Sequence, residues 1–254
     1  MAIIIMVTLG VSRDMTPMNN STWFQSNVKE IITETPTVKT FVLELPHDVS
    51  HLAGQHYEIR LTSEDGYQAA RLYSAASPAN SVKTLELTVA LLTNGELSPY
   101  LHEYIKVGDQ LEIRGPLGKF FVWNPEDTSP VLLIAGGSGV VPMRCILNAH
   151  HDSGSKTDIS VLYSARSFEE IIYKDELVDQ PNIQITLTDN IPDEWRGLKG
   201  RIDINTLKQS LEAMGSSPLC YVCGSTPFVE AMADSLLSLG VPSERIKTER
   251  FGGA

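Results

Sequence analysis

The sequence predicts two domains of different class, an antiparallel β-barrel followed by an α/β domain with a parallel sheet. Three observations carry this expectation. The length of 254 residues suits two modest domains better than one. From Trp23 to about Trp123, short β-rich runs follow one another with glycine, proline and asparagine between them. After the polar stretch Asn124-Pro125-Glu126-Asp127-Thr128-Ser129-Pro130, β and α segments alternate instead. The expected boundaries are a weakly ordered extension over residues 1–21, a barrel over 22–124 and an α/β domain over 125–254.

In the first half, strands are expected at Phe24 to Thr33, Val38 to Leu45, His56 to Thr62, Leu72 to Ala76 and Leu85 to Leu92. Thr88 to Leu92 continues the last of these as an apolar run that reads as buried on both sides. One short helix, Pro99 to Tyr104, opens after Ser98. In the second half, strands are expected at Val131 to Ala135, Ile159 to Tyr163, Ile183 to Leu187, Leu219 to Val222 and Ile246 to Glu249. Helices fall between them at Pro142 to His150, Tyr173 to Val178, Ile204 to Ala213 and Pro227 to Leu239. Such alternation implies a parallel sheet covered by helices on both faces. A sheet of this kind takes ligands beyond the carboxyl ends of its strands.

Composition excludes several functions. Twenty Lys and Arg against 31 Asp and Glu leave a net charge of −11, against nucleic acid or an anionic membrane as the main partner. Three cysteines cannot build a four-cysteine iron–sulfur or zinc site or a secreted disulfide framework, so no metal and a cytoplasmic location are expected. The apolar opening Ala2 to Leu9 is too short to span a bilayer and lacks the basic start of a signal peptide.

Four segments carry candidate chemistry. Ala135-Gly136-Gly137-Ser138-Gly139-Val140-Val141-Pro142 lies between an apolar strand and a helix. Its glycines permit a sharp turn and close approach to a pyrophosphate, and the helix amides then face the anion. In Arg71-Leu72-Tyr73-Ser74, strand alternation puts Arg71 and Tyr73 on one face, an arginine for a phosphate beside a ring for a flat heterocycle. The same pattern also suits an exposed cross-strand pair. Gly95-Glu96-Leu97-Ser98-Pro99 offers a glycine turn and a capping serine before a helix, which is equally an ordinary helix start. Cys220-Tyr221-Val222-Cys223-Gly224 has dithiol spacing, but on a strand its sulfurs point to opposite faces; Cys223 alone ends at the carboxyl edge.

Taken together and in this order, the segments resemble the ferredoxin–NADP⁺ reductase superfamily, closest to its bacterial FAD-dependent reductases that feed oxygenases and other one-electron acceptors. The resemblance covers roughly Trp23 to Gly253. It implies an FAD-binding barrel and an NAD(P)-binding α/β domain. Arg71, Leu72, Tyr73 and Ser74 would form the flavin motif: Arg71 on the pyrophosphate, Tyr73 stacked on the ring, Ser74 near its reactive nitrogen. Gly95, Leu97 and Ser98 would hold the pyrophosphate, and Thr88, Val89 and Ala90 would run along the flavin edge. Gly137, Ser138, Gly139 and Pro142 would take the nicotinamide nucleotide, with Cys223 and Gly224 beside the nicotinamide. Glu249 and Phe251 would close the site, and Ser74, Cys223 and Glu249 would be its catalytic groups.

At the end of the second parallel strand, an NAD-binding domain usually offers a carboxylate to the ribose. Ser164-Ala165-Arg166 stands there instead, so Arg166 and Ser164 are expected to clamp a 2′-phosphate and Tyr173 to stack on adenine. NADPH is thus expected over NADH, although Glu169 and Glu170 oppose it. Without a cysteine quartet, electrons must pass to a separate acceptor, a ferredoxin, an oxygenase component or a diffusible molecule. Two alternatives stay open: a reductase using free flavin or ferric chelates, and a non-catalytic regulatory subunit of the same fold.

Overall fold

The computed structural model describes residues 22–79, 82–215 and 217–251, and the extension expected over 1–21 lies outside them. Six antiparallel strands build the first half: β1 (Phe24–Thr35), β2 (Val38–Val49), β3 (His56–Thr62), β4 (Gln68–Ser74), β5 (Val82–Ala90) and β6 (Gln110–Leu117), with helix α1 (Leu97–Glu103) between β5 and β6. Their order in the sheet is β4-β3-β6-β1-β2-β5, and a bridge between Ala75 and Leu87 draws the two outer strands together into a barrel. Alternate residues point inward, so Val28, Phe41, Leu43, Tyr57, Ile59, Leu85, Leu87, Leu111 and Ile113 form one apolar core. On the outer face the cross-strand pairs Glu58–Arg114 and Arg60–Glu112 form a charge ladder. The Trp23 ring lies against both guanidiniums, at 4.1 Å from Arg60 and 4.8 Å from Arg114.

Strand β6 was not expected from the sequence, yet it sits between β3 and β1 in the middle of the sheet. Strand β4 begins at Gln68 rather than Leu72, and β5 ends at Ala90. The expected buried run therefore stops early, and Leu92 is exposed.

In the second half, β7 (Val131–Gly136), β8 (Ile159–Ala165), β9 (Ile183–Leu187), β10 (Leu198–Lys199), β11 (Leu219–Ser225) and β12 (Ile246–Phe251) form a parallel sheet in the order β10-β9-β8-β7-β11-β12. The helices are α2 (Val140–Ser153), α3 (Lys174–Leu177), α4 (Ile204–Ala213) and α5 (Thr226–Ser238). Helix α4 starts where the Asp203 carboxylate accepts from the Thr206 amide at 2.8 Å.

Alternation along the central strands fills two faces. Leu132, Ile134, Leu162, Cys220 and Val222 pack on Leu207 of α4 and on Val229, Met232 and Leu236 of α5. Leu133, Ala135, Val161, Tyr163, Tyr221 and Cys223 pack on Met143 and Ile146 of α2 and Leu177 of α3. Val38, Ala53, Ala76, Phe121 and Trp123, from the barrel side, belong to that second cluster. The two halves thus share one apolar core. No helix among the described residues is long and apolar enough to cross a membrane.

Candidate functional site

Strand β8 lies on one side of β7 and β11 on the other, so the strand order reverses between β7 and β11. The crevice beyond those two carboxyl ends is the natural ligand site of an open α/β sheet. The loop Gly137–Gly139 leaves β7 there as a single 3-10 turn and runs directly into α2, whose first turn contains Pro142.

The two glycines of the loop serve different ends. Gly137 has φ +54°, a backbone that favours glycine, and open space where a Cβ would stand. At Gly139 a Cβ would lie 2.0 Å from the Cys223 carbonyl oxygen, so the loop must pass directly over the end of β11. The sequence assigned both to a pyrophosphate; for Gly139 the packing of the protein itself already demands glycine. Ser138 stays half-buried between them. A Cβ at Gly224 would strike the Phe228 ring at 2.8 Å, which is why the chain after Cys223 is also bare.

Cys223 is fully buried at the end of β11, level with Ala135 on one side and Glu249 on the other. Burial and then the Glu249 charge push its thiol well above the usual range, so it stands as a neutral thiol. Cys220 faces the opposite cluster, as the strand alternation requires, and burial pushes it up to about 12. Burial likewise raises Cys145 on α2 to about 11. All three are free and buried. Iodoacetamide at pH 8 should therefore label none of them in the native protein and all three in denaturant; native labelling of Cys223 would place it at an open, activated position instead.

In the barrel, Arg71 and Tyr73 share a face of β4 as expected. Tyr73 packs on the barrel core, whereas Arg71 is exposed and pairs only loosely, at 3.6 Å, with the exposed Glu96. Leu72 points outward on the other face. Ser74 is buried, and its hydroxyl has no partner among the described residues. The α1 segment departs from expectation. Glu96, not Ser98, is the residue that opens the helix; Ser98 lies inside the helix, and its hydroxyl accepts from the Leu92 amide at 3.0 Å. Leu97 is buried, while Gly95 forms the turn back to Leu92. Along β5, Val89 is buried with its carbonyl bonded by His102, Ala90 is half-buried, and the Thr88 hydroxyl is taken up by Thr40 and Tyr173.

A residue that sequence reasoning missed joins the two halves. His56, at the start of β3, pairs across the strands with Ser74. Its Nδ1 lies 3.5 Å from Oε1 of Glu249, on the far edge of the parallel sheet. The other oxygen, Oε2, is buried without a partner among the described residues. Ser74, His56, Glu249 and Cys223 thus stand in sequence across the domain boundary. The signal for His56 was only its position after Gly54-Gln55, at the start of an otherwise ordinary strand. Phe251 ends β12 level with Ser225 and packs on the shared core.

At the carboxyl end of β8, Ser164 is half-buried and Arg166 is exposed, 3.8 Å from Glu170. Glu169 is held by the Ser167 hydroxyl at 2.9 Å. Tyr173 does not join them. It is 4% exposed, its hydroxyl is bonded to Thr88, and the Arg144 guanidinium covers its ring at 4.6 Å. A ring so enclosed has no face left for adenine, so the expected stacking role is withdrawn.

Comparison with known proteins agrees with this architecture. Residues 25–122 match the oxidoreductase FAD-binding domain and residues 133–234 the oxidoreductase NAD-binding domain. The chain is 31% identical to ferredoxin–NADP reductase B of Sorangium cellulosum over 88% of this chain and 91% of that protein. It is 29% identical to the phenol hydroxylase P5 protein of Acinetobacter pittii over 90% of its length, but spans only 65% of that relative. The FAD/NAD-binding domain of the nitric oxide dioxygenase from Vibrio cholerae superposes with a TM-score of 0.79 at 29% identity, covering 90% of this chain and 98% of that one.

Proposed function

Because the chain belongs to the ferredoxin reductase-like family of FAD- and nicotinamide-nucleotide-binding oxidoreductases, we propose that it takes hydride from NADPH and passes electrons one at a time to a separate acceptor, such as a ferredoxin or an oxygenase component. The observation that carries this reading is the His56–Glu249 contact. It brings the Arg71–Ser74 strand of the barrel to the crevice formed by Gly137–Gly139 and Cys223.

The residues present fit a flavin. The buried hydroxyl of Ser74 and the buried Oε2 of Glu249 have no partner among the described residues, and leaving such groups unpaired costs about 1–3 kcal/mol each. Arg71 is exposed, with one bond from Nη1 to the neighbouring Ala70 carbonyl at 2.7 Å and only a 3.6 Å contact to Glu96, so its guanidinium keeps donors for a phosphate. When bound, FAD supplies the conversion of a two-electron donor into a one-electron donor.

This chain's own residues do the rest. Arg71 would hold the pyrophosphate of FAD, and Tyr73 would supply a flat apolar surface for its ring. The amides of Gly137 to Gly139, at the start of the 14-residue helix α2, hold the nicotinamide nucleotide. Cys223, neutral and buried, fills the floor of the crevice without competing as a nucleophile. Ser74 donates a hydrogen bond into the site, and His56 with Glu249 offers a short route for a proton to leave it. Arg166 and Ser164 clamp the 2′-phosphate, which is the basis for placing NADPH above NADH; Glu170 must yield for that clamp to close.

The test is the visible spectrum of the purified protein during anaerobic titration with NADPH and then NADH. Bleaching of flavin absorbance by NADPH at much lower concentration than NADH is expected. Bleaching first by NADH would discard the Arg166 clamp. No bound flavin, even after addition of FAD, would remove the reductase reading.

A further inference from the structure

Arg144 is one turn into α2, the helix that begins at the glycine loop, and its side chain is only 15% exposed. Its Nη1 donates to Glu86 on β5 at 2.5 Å and to the Ala76 carbonyl after β4 at 3.1 Å. Its Nε and Nη2 form a two-pronged fork on Glu176 of α3, at 2.6 and 2.7 Å. Beneath the guanidinium lies the Tyr173 ring, whose hydroxyl pairs with Thr88 on β5. The Thr88 hydroxyl continues to Thr40 on β2 at 2.7 Å, and Thr40 to Glu34 on β1 at 2.6 Å. Cys145, the next residue of α2, reaches the Ser77 carbonyl of the same post-β4 connection at 3.1 Å.

Adhesion alone does not account for this cluster. The two halves already share an apolar core, and a partly buried ion pair gives little net stability, because desolvation offsets most of its attraction. What a fork of charged hydrogen bonds adds is a fixed direction. Its position gives that direction a use. Glu86 and Thr88 share a face of β5, next to the segment assigned to the flavin edge, and Arg144 stands one turn from the loop assigned to the nicotinamide nucleotide. The tether therefore joins the two half-sites by a short path.

We propose that Arg144, seated on Tyr173 and tied to Glu86, is a positioning residue that sets the alignment of the nicotinamide site on the flavin site. This rests on the reductase reading above. Hydride transfer needs its reacting atoms in near-contact geometry, and a misplacement of about 1 Å costs on the order of 100-fold in rate.

The test compares wild type with Arg144→Ala, Arg144→Lys and Tyr173→Phe in the FAD-loaded protein. Stopped-flow reduction by NADPH should slow by about 10- to 100-fold in Arg144→Ala, while flavin content and the NADPH concentration for half-saturation stay within about twofold. Arg144→Lys should recover only part of the loss, because an ammonium cannot reproduce the fork. Tyr173→Phe deletes one hydroxyl, keeps the ring, and should slow transfer by about threefold. The long-wavelength absorbance of a nicotinamide stacked on the flavin should weaken in the same order. In flavin-free protein, amide exchange over Val140–Arg144 should quicken in the alanine variant.

Unchanged rates and unchanged long-wavelength absorbance in folded Arg144→Ala and Tyr173→Phe would overturn the proposal while leaving the reductase reading intact. If Arg144→Ala does not fold, Tyr173→Phe and Glu86→Gln decide the matter by the same readouts. A wild-type protein that binds no flavin would overturn both together, and is told apart by its spectrum before any variant is made.

Discussion

Gly139→Ala should abolish nucleotide-dependent reduction while the barrel keeps its flavin. The added methyl would stand 2.0 Å from the Cys223 carbonyl oxygen, 2.4 Å from its carbon and 2.8 Å from the Gly224 nitrogen. All three are backbone atoms at a strand end, so no rotamer can relieve the clash. Either the loop lifts off or the end of β11 is displaced, and overpacking of this kind costs about 1–3 kcal/mol or more. Both movements deform the crevice between β7 and β11, whereas Arg71, Tyr73 and Ser74 stand on a different sheet. A lowered melting temperature, normal flavin absorbance and no bleaching by NADPH are the expected signs. An unaltered melting temperature with full reduction would show that the loop does not need that approach.

Arg71→Ala should weaken FAD binding by roughly 10- to 150-fold, equivalent to the ~1.5–3 kcal/mol of a hydrogen bond to a charged group. Arg71 is more than half exposed and its pair with Glu96 is long, so deleting it costs the protein little and the ligand much. Titration of flavin-free protein, followed by flavin fluorescence, measures the effect. Riboflavin, which has no pyrophosphate, should bind both proteins alike. Equal FAD affinity in the variant would remove Arg71 from the pyrophosphate site.

Five strands of the parallel half were legible because they are short apolar runs separated by helices, a pattern that burial on both faces imposes; β10, two exposed residues that follow β9 without a helix, carries no such signal and was not expected. Strand β6 was not. Leu111 and Ile113 alternate inward as a strand should, but Gly115-Pro116 reads as a stop signal; pairing with β1 ends at Ile113, and pairing with β3, which reaches Leu117, carries the strand through it. Strand β4 opens on Gln68-Ala69-Ala70, residues of low β-propensity whose pairing with Thr62, Leu61 and Arg60 decides their state.

The site divides in the same way. Glycine loops and the Arg-x-Tyr-Ser segment are local patterns, so they could be read. The roles of His56 and Arg144 depend on Glu249, Glu86 and Glu176, which the fold brings from far along the chain. Tyr173 was misplaced because it follows Ser164-Ala165-Arg166 closely in the chain and opens the next expected helix, which suggested a ring beside the same ligand. The preceding Ile171-Ile172 was the warning, an apolar pair that continues inward and takes the tyrosine with it. Ser98 was misread for a smaller reason: the helix begins two residues earlier, which turns a cap into a helical side chain.

The apolar seam of Val38, Ala53, Ala76, Phe121 and Trp123 against the parallel sheet has a bearing on traffic through the molecule. Parting the two halves would wet Trp123, now 1% exposed, together with the aliphatic side chains around it. Opening like a book is therefore an expensive way to admit anything. The loop after β7, by contrast, already meets solvent at Gly137 on the rim of the sheet, so that edge is reached by solvent without wetting the seam.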